Sequence, residues 1–568
     1  MKYLFTLLTT AVILLSFTFF ISCTQKVSVD QQQIDSLELL KGELALCGPE
    51  QFGSVNFGLD CMESVQEDFE LAIALLHSFE YSEAEKVFAS VIASDPKCAI
   101  AYWGVAMCNY HQLWSPPKEE ALEKSSKAIS IAQALNTKNE RESLYIDAIA
   151  QYYKDWQNID HKTRSNAYVN AMEKIYKAYP DDKEAAIFYA LALNSIVDPS
   201  DKEFTNQRAA GEILNKIFPQ EPNHPGVAHY IIHSYDYPEL AHLALNSARK
   251  YADIAPSSAH AQHMPSHIFT RLGLWEESIE SNMRSATSAQ CYMDKLGVKG
   301  NWFNELHALD YLMYAYLQTS QIDKADEILN YTLAVEIAYP FNLPSAYALA
   351  AIPARHAIEM KDWKKAAELE LPLKNSPWEK FPWEASIINF SSLLGAVHVN
   401  DLEKAKSQLA NLKTNYAILN EANDEYKSNQ VNIQIKISEG WIAFAEGDNE
   451  TAETSLLEAA DMEENTAKHP VTPGEVIPAR ELLGELYLLL EDYGKALQAF
   501  EMSLTKSQNR FHGTYGAAFA AEKYGDNDKA LKYFSQLIEL SKDASNDRPE
   551  IVYARDYIDR HDQMISMN

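Results

Sequence analysis

Seven of the sixteen histidines in this 568-residue chain lie within one short stretch, residues 224–269. Imidazole nitrogens are good ligands for divalent transition metals, so a dense group of them is a candidate metal site. It is equally the composition expected of a groove whose histidines only hydrogen-bond a ligand or their neighbours. The seven are His224, His229, His233, His242, His260, His263 and His267.

The spacing of these histidines separates candidate ligands from the rest. His229 and His233 are four residues apart, so on a helix they lie one turn apart on the same face. A second set follows the pattern i, i+3, i+7, and His307 is expected on the following repeat. We predict that one polar cavity in the groove is bounded by five histidines, with His307 nearby: His229, His233, His260, His263 and His267. In the metalloprotein interpretation these six residues are the ligands of Zn, Cu, Ni or Fe.

Other polar residues are further candidate groove ligands: His77, His111, Asp310, Arg480 and Arg510. The two arginines would either clamp a carboxylate or form ion pairs between helices. No His-Glu-x2-His zinc-protease motif, nucleophile elbow or phosphate-binding glycine loop is present, so no enzyme class is indicated.

A repeat of about 34 residues predicts the elements that position these side chains. Small and aromatic residues recur at helical spacing, and Ala496 and Ala530 stand one repeat apart. Each helical hairpin buries only part of its apolar surface, so neighbours must stack. We therefore predict an all-α tetratricopeptide-repeat superhelical solenoid of roughly ten to twelve hairpins over residues 61–545, with Ala84, Ala452, Ala496 and Ala530 buried.

Several segments also resemble a known family. They include "LLHSFEYSEAEKVFASVIASDPKCAIAYWGVAM", "HPGVAHYIIHS", "HAQHMPSHIFTRLG" and "VTPGEVIPARELLGELYLLLEDYGKALQAFEMSL". These are similar to segments of an uncharacterised family of bacterial tetratricopeptide-repeat lipoproteins. The resemblance implies the same solenoid fold and implies no reaction.

The N-terminus predicts where in the cell the protein is located. One lysine precedes a long apolar run that ends in Phe20-Ile21-Ser22-Cys23, which resembles a bacterial lipoprotein signal. Residues 1–22 are then a signal peptide and Cys23 carries lipid. Residues 23–60 form a tether and loop segment, and residues 546–568 form a C-terminal tail. The alternative is an uncleaved membrane anchor.

Five further cysteines would lie in an exported, disulfide-permissive compartment. Cys47 and Cys61 flank a glycine-containing loop and are the best candidate disulfide. An odd number of cysteines leaves at least one thiol free.

Charge and composition complete the functional prediction. The formal net charge of −31 predicts that nucleic acid is not a partner. The leading hypothesis is a protein anchored by lipid to the outer membrane, facing the periplasm, that binds a protein or peptide in its concave groove. The alternatives are a metalloprotein, with or without enzymatic activity, and a nutrient- or glycan-binding lipoprotein.

Overall fold

The structure, a computed structural model, describes residues 30–113, 116–545 and 548–567, with side chains as far as residue 563. The predicted signal peptide and Cys23 lie outside the described residues. Within them, no helix is both long enough and apolar enough to cross a membrane.

The first half of the chain is built from short and medium-length helices. They are α1 (Gln31–Asp35), α2 (Gln66–His77), α3 (Tyr81–Ser94), α4 (Ala99–Cys108), α5 (Glu119–Leu135), α6 (Glu140–Tyr153), α7 (His161–Ala178), α8 (Lys183–Ser195), α9 (Thr205–Ile217), α10 (Pro225–Tyr235), α11 (Leu245–Ile254), α12 (Ala259–His263) and α13 (Pro265–Arg271). Two 3-10 turns, Glu63–Val65 and Ala241–Leu243, accompany them.

The second half continues the same pattern with generally longer helices. They are α14 (Trp275–Leu296), α15 (Phe303–Gln318), α16 (Ile322–Leu333), α17 (Leu343–Glu359), α18 (Trp363–Ala367), α19 (Pro382–His398), α20 (Leu402–Glu421), α21 (Glu425–Ala445), α22 (Asn449–Glu464), α23 (Ala479–Leu489), α24 (Tyr493–Lys506), α25 (Phe511–Tyr524), α26 (Asn527–Leu540) and α27 (Pro549–Met567). A 3-10 turn, Trp378–Lys380, and a parallel pair of two-residue strands, β1 (Asn301–Trp302) and β2 (Ala338–Tyr339), complete it.

Consecutive helices pack as hairpins, which confirms the predicted all-α solenoid. In the described chain twelve hairpins run from α2–α3 to α25–α26. Aspartates end the turns between helices, and Asp448, Asp492 and Asp526 each accept a backbone N–H of the helix that they cap. The four predicted alanines are fully buried: Ala84, Ala452, Ala496 and Ala530.

The connection between α22 and α23, residues 465–478, lies inside the superhelix; we call it the inner loop. Hydroxyl groups of Tyr311 and Tyr347 donate to the carbonyl oxygens of Val471 and Gly474, at 3.2 and 2.8 Å. Arg355 donates to the Glu475 carbonyl oxygen at 2.8 Å. Because α15 and α17 supply these donors, the loop covers the inner face of the helices next to the histidine-rich stretch.

The disulfides differ from the prediction. Cys47 is bonded to Cys291 and Cys61 to Cys98, so the predicted Cys47–Cys61 pair is wrong. The loop between Cys47 and Cys61 does not fold back on itself. Instead it lies along the solenoid, and each of the two cysteines bonds to a cysteine of the helical repeats beside it. Cys108 is a free, buried thiol.

The chain after residue 548 is helical where a tail was predicted. Helix α27 packs against α26 and buries Ile551, Ala554 and Tyr557. This helix therefore covers the apolar face of the last hairpin, the role that a capping helix has in a repeat protein.

Candidate metal centre

The histidine-rich stretch is divided among four helices. His224 caps the N-terminus of α10, accepting the Val227 backbone N–H, and His229 follows inside that helix. His263 ends α12, and Pro265 begins α13 because proline lacks the N–H that a continuous helix would need. Met264 between the two helices keeps helical backbone angles. His267, four residues after His263, therefore lies one turn away on the same face, and it comes close to His307 of α15.

Three of the predicted ligands form a first triad: His229, His233 and His260. The Nε2 atom of His229 lies 3.0 Å from Nε2 of His233 and 3.1 Å from Nε2 of His260. Nitrogen atoms bound to one ion at about 2.0–2.1 Å lie roughly 3–3.5 Å apart. Two of the three separations in this triad already match that spacing, and ligand atoms of all three imidazoles lie within 4.8 Å of one another.

The other three predicted ligands form a second triad: His263, His267 and His307. The Nε2 atoms of His263 and His267 lie 3.0 Å apart. One nitrogen of His307 lies within 4.8 Å of a nitrogen of each of the other two. The prediction of one shared cavity is thus refined to two triads, which adjoin because His260 and His263 are one turn apart on α12.

Hydrogen bonds on the far side of the rings fix which nitrogen faces the triad centre. His229 donates from Nδ1 to the carbonyl oxygen of His77 at 2.6 Å, and a carbonyl can only accept. His267 donates from Nδ1 to the Asp236 carboxylate at 2.8 Å. Each Nδ1 therefore carries hydrogen, and in the neutral ring the lone pair lies on Nε2.

Asn282 does the same for His263. Its Oδ1 atom lies 2.6 Å from His263 Nδ1, and its Nδ2 donates to the Ser278 carbonyl oxygen at 2.7 Å. The second bond sets the orientation of the amide, so the oxygen must face the imidazole. His263 also presents its Nε2 lone pair to the second triad.

In the first triad the Nε2 lone pair of His229 faces the Nε2 atoms of His233 and His260. In the second triad the tautomers place the Nε2 lone pairs of His263 and His267 against each other at 3.0 Å. Such a contact is repulsive unless a proton or a cation lies between the nitrogens. Burial lowers the pKa of all six imidazoles, and a neighbouring imidazole lowers it further for every one except His267, where Asp236 opposes the shift. A shared proton is therefore disfavoured near pH 7, whereas a divalent cation would use the lone pairs directly.

An aromatic ring covers each triad. The Phe79 ring centroid lies 4.4 to 5.5 Å from the centroids of the first triad, and the Tyr311 centroid lies 4.7 to 5.3 Å from those of the second. His233, His260 and His307 remain partly exposed. Each triad thus has a dry side and an accessible side, as a metal with an open coordination position requires.

A buried group of charges adjoins both triads. Asp236 accepts from His267, from Arg271 at 3.1 Å and from Lys468 at 2.9 Å. Burial and then the Arg271 guanidinium lower the pKa of Lys468 to about 7, although Asp236 opposes the shift. The charge of Lys468 in turn lowers the pKa of His233 and His263. Lys468 belongs to the inner loop, so the loop brings an amine close to both histidine sets.

A cavity of about 640 Å³ opens beside this group. Its wall includes His233 of the first triad, together with Asp236, Arg271 and Lys468. The volume is within the range of small-molecule sites in proteins, about 300–1,000 Å³. A ligand in this cavity would contact the first triad directly and the second triad through Asp236.

A third group, His77, Glu184 and His224, has similar spacing and different chemistry; we call it the carboxylate cluster. Its imidazoles lie 2.9 and 2.7 Å from the two carboxylate oxygens of Glu184. The remaining Nδ1 atoms pair with the Tyr230 hydroxyl and the Val227 N–H. Burial opposes ionisation of Glu184, yet the two imidazoles hold its pKa below the ordinary value. Every nitrogen has a partner without an ion.

The remaining predicted ligands lie apart from the triads. The ring of His111 stacks on Tyr81, with centroids 4.3 Å apart. Asp310 lies 3.6 Å from the Arg355 guanidinium, and burial raises the pKa of Asp310 to about 6. His77 contributes its backbone carbonyl to the first triad and its side chain to the carboxylate cluster.

Both predicted arginines form ion pairs between helices. Arg480 contacts Asp461 and Glu464 of α22, each at 2.8 Å. Arg510 is fully buried and joins Glu359 of α17 to Glu481 of α23. The alternative interpretation of these residues, as links between repeats, agrees with this geometry.

Sequence reasoning missed Asn282, Lys468 and Phe79. Asn282 lies 15 residues after His267 in a helix of ordinary composition, and Lys468 is 232 residues from Asp236 along the chain. Neither spacing carries a local signal. Only the superhelix brings these side chains to the histidines.

No protein-family model matches the sequence, and no match to a curated protein was found. Among solved structures, the chain is similar to a human IFIT1 dimer with m7Gppp-AAAA, at 12% identity over 78% of this chain and 90% of the other, with a TM-score of 0.34. It is also similar to APC/C Cut9-Hcn1, at 14% identity over 87% and 90%, with a TM-score of 0.32. Both are helical-repeat architectures, and the likeness concerns the fold alone.

These structures correct one prediction. A human IFIT1 dimer also occurs with PPP-AAAA, at 13% identity over 90% of this chain and a TM-score of 0.35. The expectation that nucleic acid is excluded as a partner is wrong as an exclusion, because helical-repeat proteins of this kind include ones solved with an oligonucleotide. Net charge averages over the whole surface, whereas a ligand meets only the charges of its site.

Proposed function

We propose that this protein is a metalloprotein that holds two transition-metal ions, one in each histidine triad. Its ligand set is nitrogen only, which favours Zn, Cu, Ni or Fe over Mg or Ca. The aromatic covers and the adjoining cavity fit ions that keep one coordination position open for a ligand. The histidines are distributed over α10, α12, α13 and α15, so binding also ties three repeats together.

One observation carries the proposal: imidazole Nε2 atoms face one another at 3.0 to 3.1 Å while Nδ1 of His229, His263 and His267 donates to a fixed acceptor. Between His263 and His267 both facing nitrogens are unprotonated lone pairs, an arrangement that is unfavourable unless a cation lies between them. Neither a peptide groove nor a structural role for the histidines requires that arrangement.

Elemental analysis of protein purified without a histidine tag tests the proposal. We expect about two metal equivalents in the wild type, and about one in His229→Ala and in His263→Ala. The matched control is His224→Ala, which removes a buried histidine of the carboxylate cluster and should retain both ions. A metal-free wild type that also ignores added Zn, Cu, Ni and Fe in calorimetry would overturn the proposal.

We also propose that the protein is exported and anchored by lipid at Cys23 to the outer membrane, as the resemblance to lipoproteins implies. Two disulfides support an oxidising compartment, because cytosolic thiols are kept reduced. Replacement Cys23→Ala should release the protein to a soluble fraction or block its processing. Unchanged fractionation and unchanged mature mass would contradict the anchor.

A protein or peptide ligand in the groove is compatible with a repeat solenoid. The inner loop bears on where such a ligand would bind, since it occupies the inner face at α15 and α17. A peptide would have to bind beside this loop or displace it. The metal centre requires no such displacement, and we therefore prefer it.

A further inference from the structure

Charge is not balanced at the proposed metal centre. All six ligands are imidazoles, which bind a metal through the lone pair of the neutral ring, so they cancel none of the charge of the ions. The carboxylate that contacts a triad histidine is Asp236, and it already pairs with Arg271 and Lys468. Two divalent ions would leave a large positive charge in a buried site, which is unfavourable without a counter-ion.

Two donors at the cavity wall are placed to receive a counter-ion. Arg271 is 7% exposed, and its Nη2 atom has no hydrogen-bond partner although Nε and Nη1 are both used. An unpartnered guanidinium nitrogen in a buried position is costly unless a ligand or water meets it. Lys468, whose partner is the same carboxylate, lines the same cavity.

Resting on the proposed metal function, we infer that this cavity binds a small molecule through an anionic group, a carboxylate or a phosphate. The anionic group contacts the open position of the metal in the first triad, at His233, and accepts hydrogen bonds from Arg271 and Lys468. It thereby supplies the negative charge that the ligand set lacks.

The rest of the wall sets the size and charge of the ligand. A cavity of about 640 Å³ is larger than a lone anion, so it fits an anionic group carried on a larger body. Asp198, Asp201 and Glu239 also line the wall. Lys427 and Lys506 line it as well, so the wall offers charges of both signs to the body of the ligand.

Cobalt(II) provides a test because its absorption spectrum reports on its ligands. Wild-type protein loaded with Co²⁺ is titrated separately with azide, acetate and phosphate. We expect a saturable change in the visible spectrum with azide and with at least one of the two oxyanions. In Lys468→Met the apparent Kd for these anions should rise about tenfold, while the number of bound Co²⁺ ions stays at the wild-type value.

Lys202→Met is the matched control. Lys202 lines the same cavity but is exposed, and its ammonium group donates to the Asn465 carbonyl oxygen. Its replacement should leave both Co²⁺ stoichiometry and anion affinity unchanged. If Co²⁺ binds and no anion alters its spectrum, or if Lys468→Met binds anions like the wild type, the anion site is refuted and the metal site stands. If Co²⁺ does not bind, both fail.

Discussion

The histidine triads and the carboxylate cluster are close neighbours made of the same residue type, and they differ in how their nitrogen atoms are used. In the cluster, each imidazole nitrogen of His77 and His224 meets a complementary group: a carboxylate oxygen, a hydroxyl or a backbone N–H. In the triads, the Nε2 atoms of His229 and His263 face Nε2 atoms of other imidazoles, and between His263 and His267 both of the facing nitrogens are lone pairs.

The difference shows that distance alone does not identify a metal site. All three groups have potential ligand atoms within 4.8 Å of one another. The groups differ in whether each imidazole nitrogen has a complementary hydrogen-bond partner. In the cluster every nitrogen has one without an ion, whereas in the triads some nitrogens do not. Glu184 makes the cluster complete because one carboxylate accepts from two imidazoles.

The largest expected effect is stabilisation by metal. A ligand that binds only the folded state stabilises it by about 4 kcal/mol at a free concentration of about 1,000 times Kd. Each triad should contribute one such increment, measured as a rise in the thermal midpoint when Zn²⁺ is added. His263→Ala should lose one increment and His224→Ala neither. If Zn²⁺ raised the thermal midpoint equally in the two variants, the proposed difference between the triads and the cluster would be contradicted.

The next effect is the reverse case, in which the cluster is broken. Glu184→Ala leaves His77 and His224 buried without their shared acceptor, which should lower the free energy of unfolding by about 3 kcal/mol. Metal content per folded molecule should stay unchanged. Denaturant unfolding and elemental analysis measure the two quantities. Glu203→Ala, at an exposed position, is the control and should change neither.

A smaller effect is expected from the residue that orients His263. Removing the amide in Asn282→Ala frees the ring of His263, and loss of such an orienting partner weakens metal binding about 10- to 100-fold. Zn²⁺ calorimetry should show one weakened site and one unchanged site, the first triad being the internal control. Two unchanged sites would mean that the amide does not set the tautomer.

The smallest effect is the pH dependence. Because burial lowers the pKa of the triad imidazoles below ~6.5, protons compete with metal only when the pH falls beneath that value. Bound metal should be constant from about pH 8 to about pH 6.5 and decrease below about pH 6. The free energy of unfolding of metal-free protein should decrease over the same fall in pH, since the unfolded chain takes up protons that the folded triads do not bind. Metal lost between pH 8 and 7 would argue against buried, neutral ligands.

The sequence predicted the repeats and the six histidines that the fold gathers into the triads. It could do so because helical periodicity is local: His229 and His233, or His263 and His267, share a face whatever the rest of the fold does. It could not predict how the histidines divide. His267 meets His307 of α15 and His260 meets His229 of α10. Which neighbouring helix each histidine reaches depends on how the repeats stack.

Local sequence patterns could not predict pairs of residues that are distant in sequence, for the same reason. Cys47 and Cys61 were paired with each other because they are near in sequence, whereas their partners, Cys291 and Cys98, are near in space. Lys468 reaches Asp236 only after the superhelix has brought the inner loop against α10. Interactions of this kind depend on the pitch of the whole solenoid, which a 34-residue repeat does not specify.

The bond between Cys47 and Cys291 spans a sequence separation of 244 residues and has a mechanical consequence. A force applied to the chain before Cys47 passes through sulfur directly into α14, at the middle of the solenoid. The repeats between the two cysteines, which carry His229 and His263, form a closed covalent ring that bears none of this load. Pulling on the N-terminal end would therefore unravel the second half of the molecule first, while the ring that carries five of the six triad histidines keeps its shape.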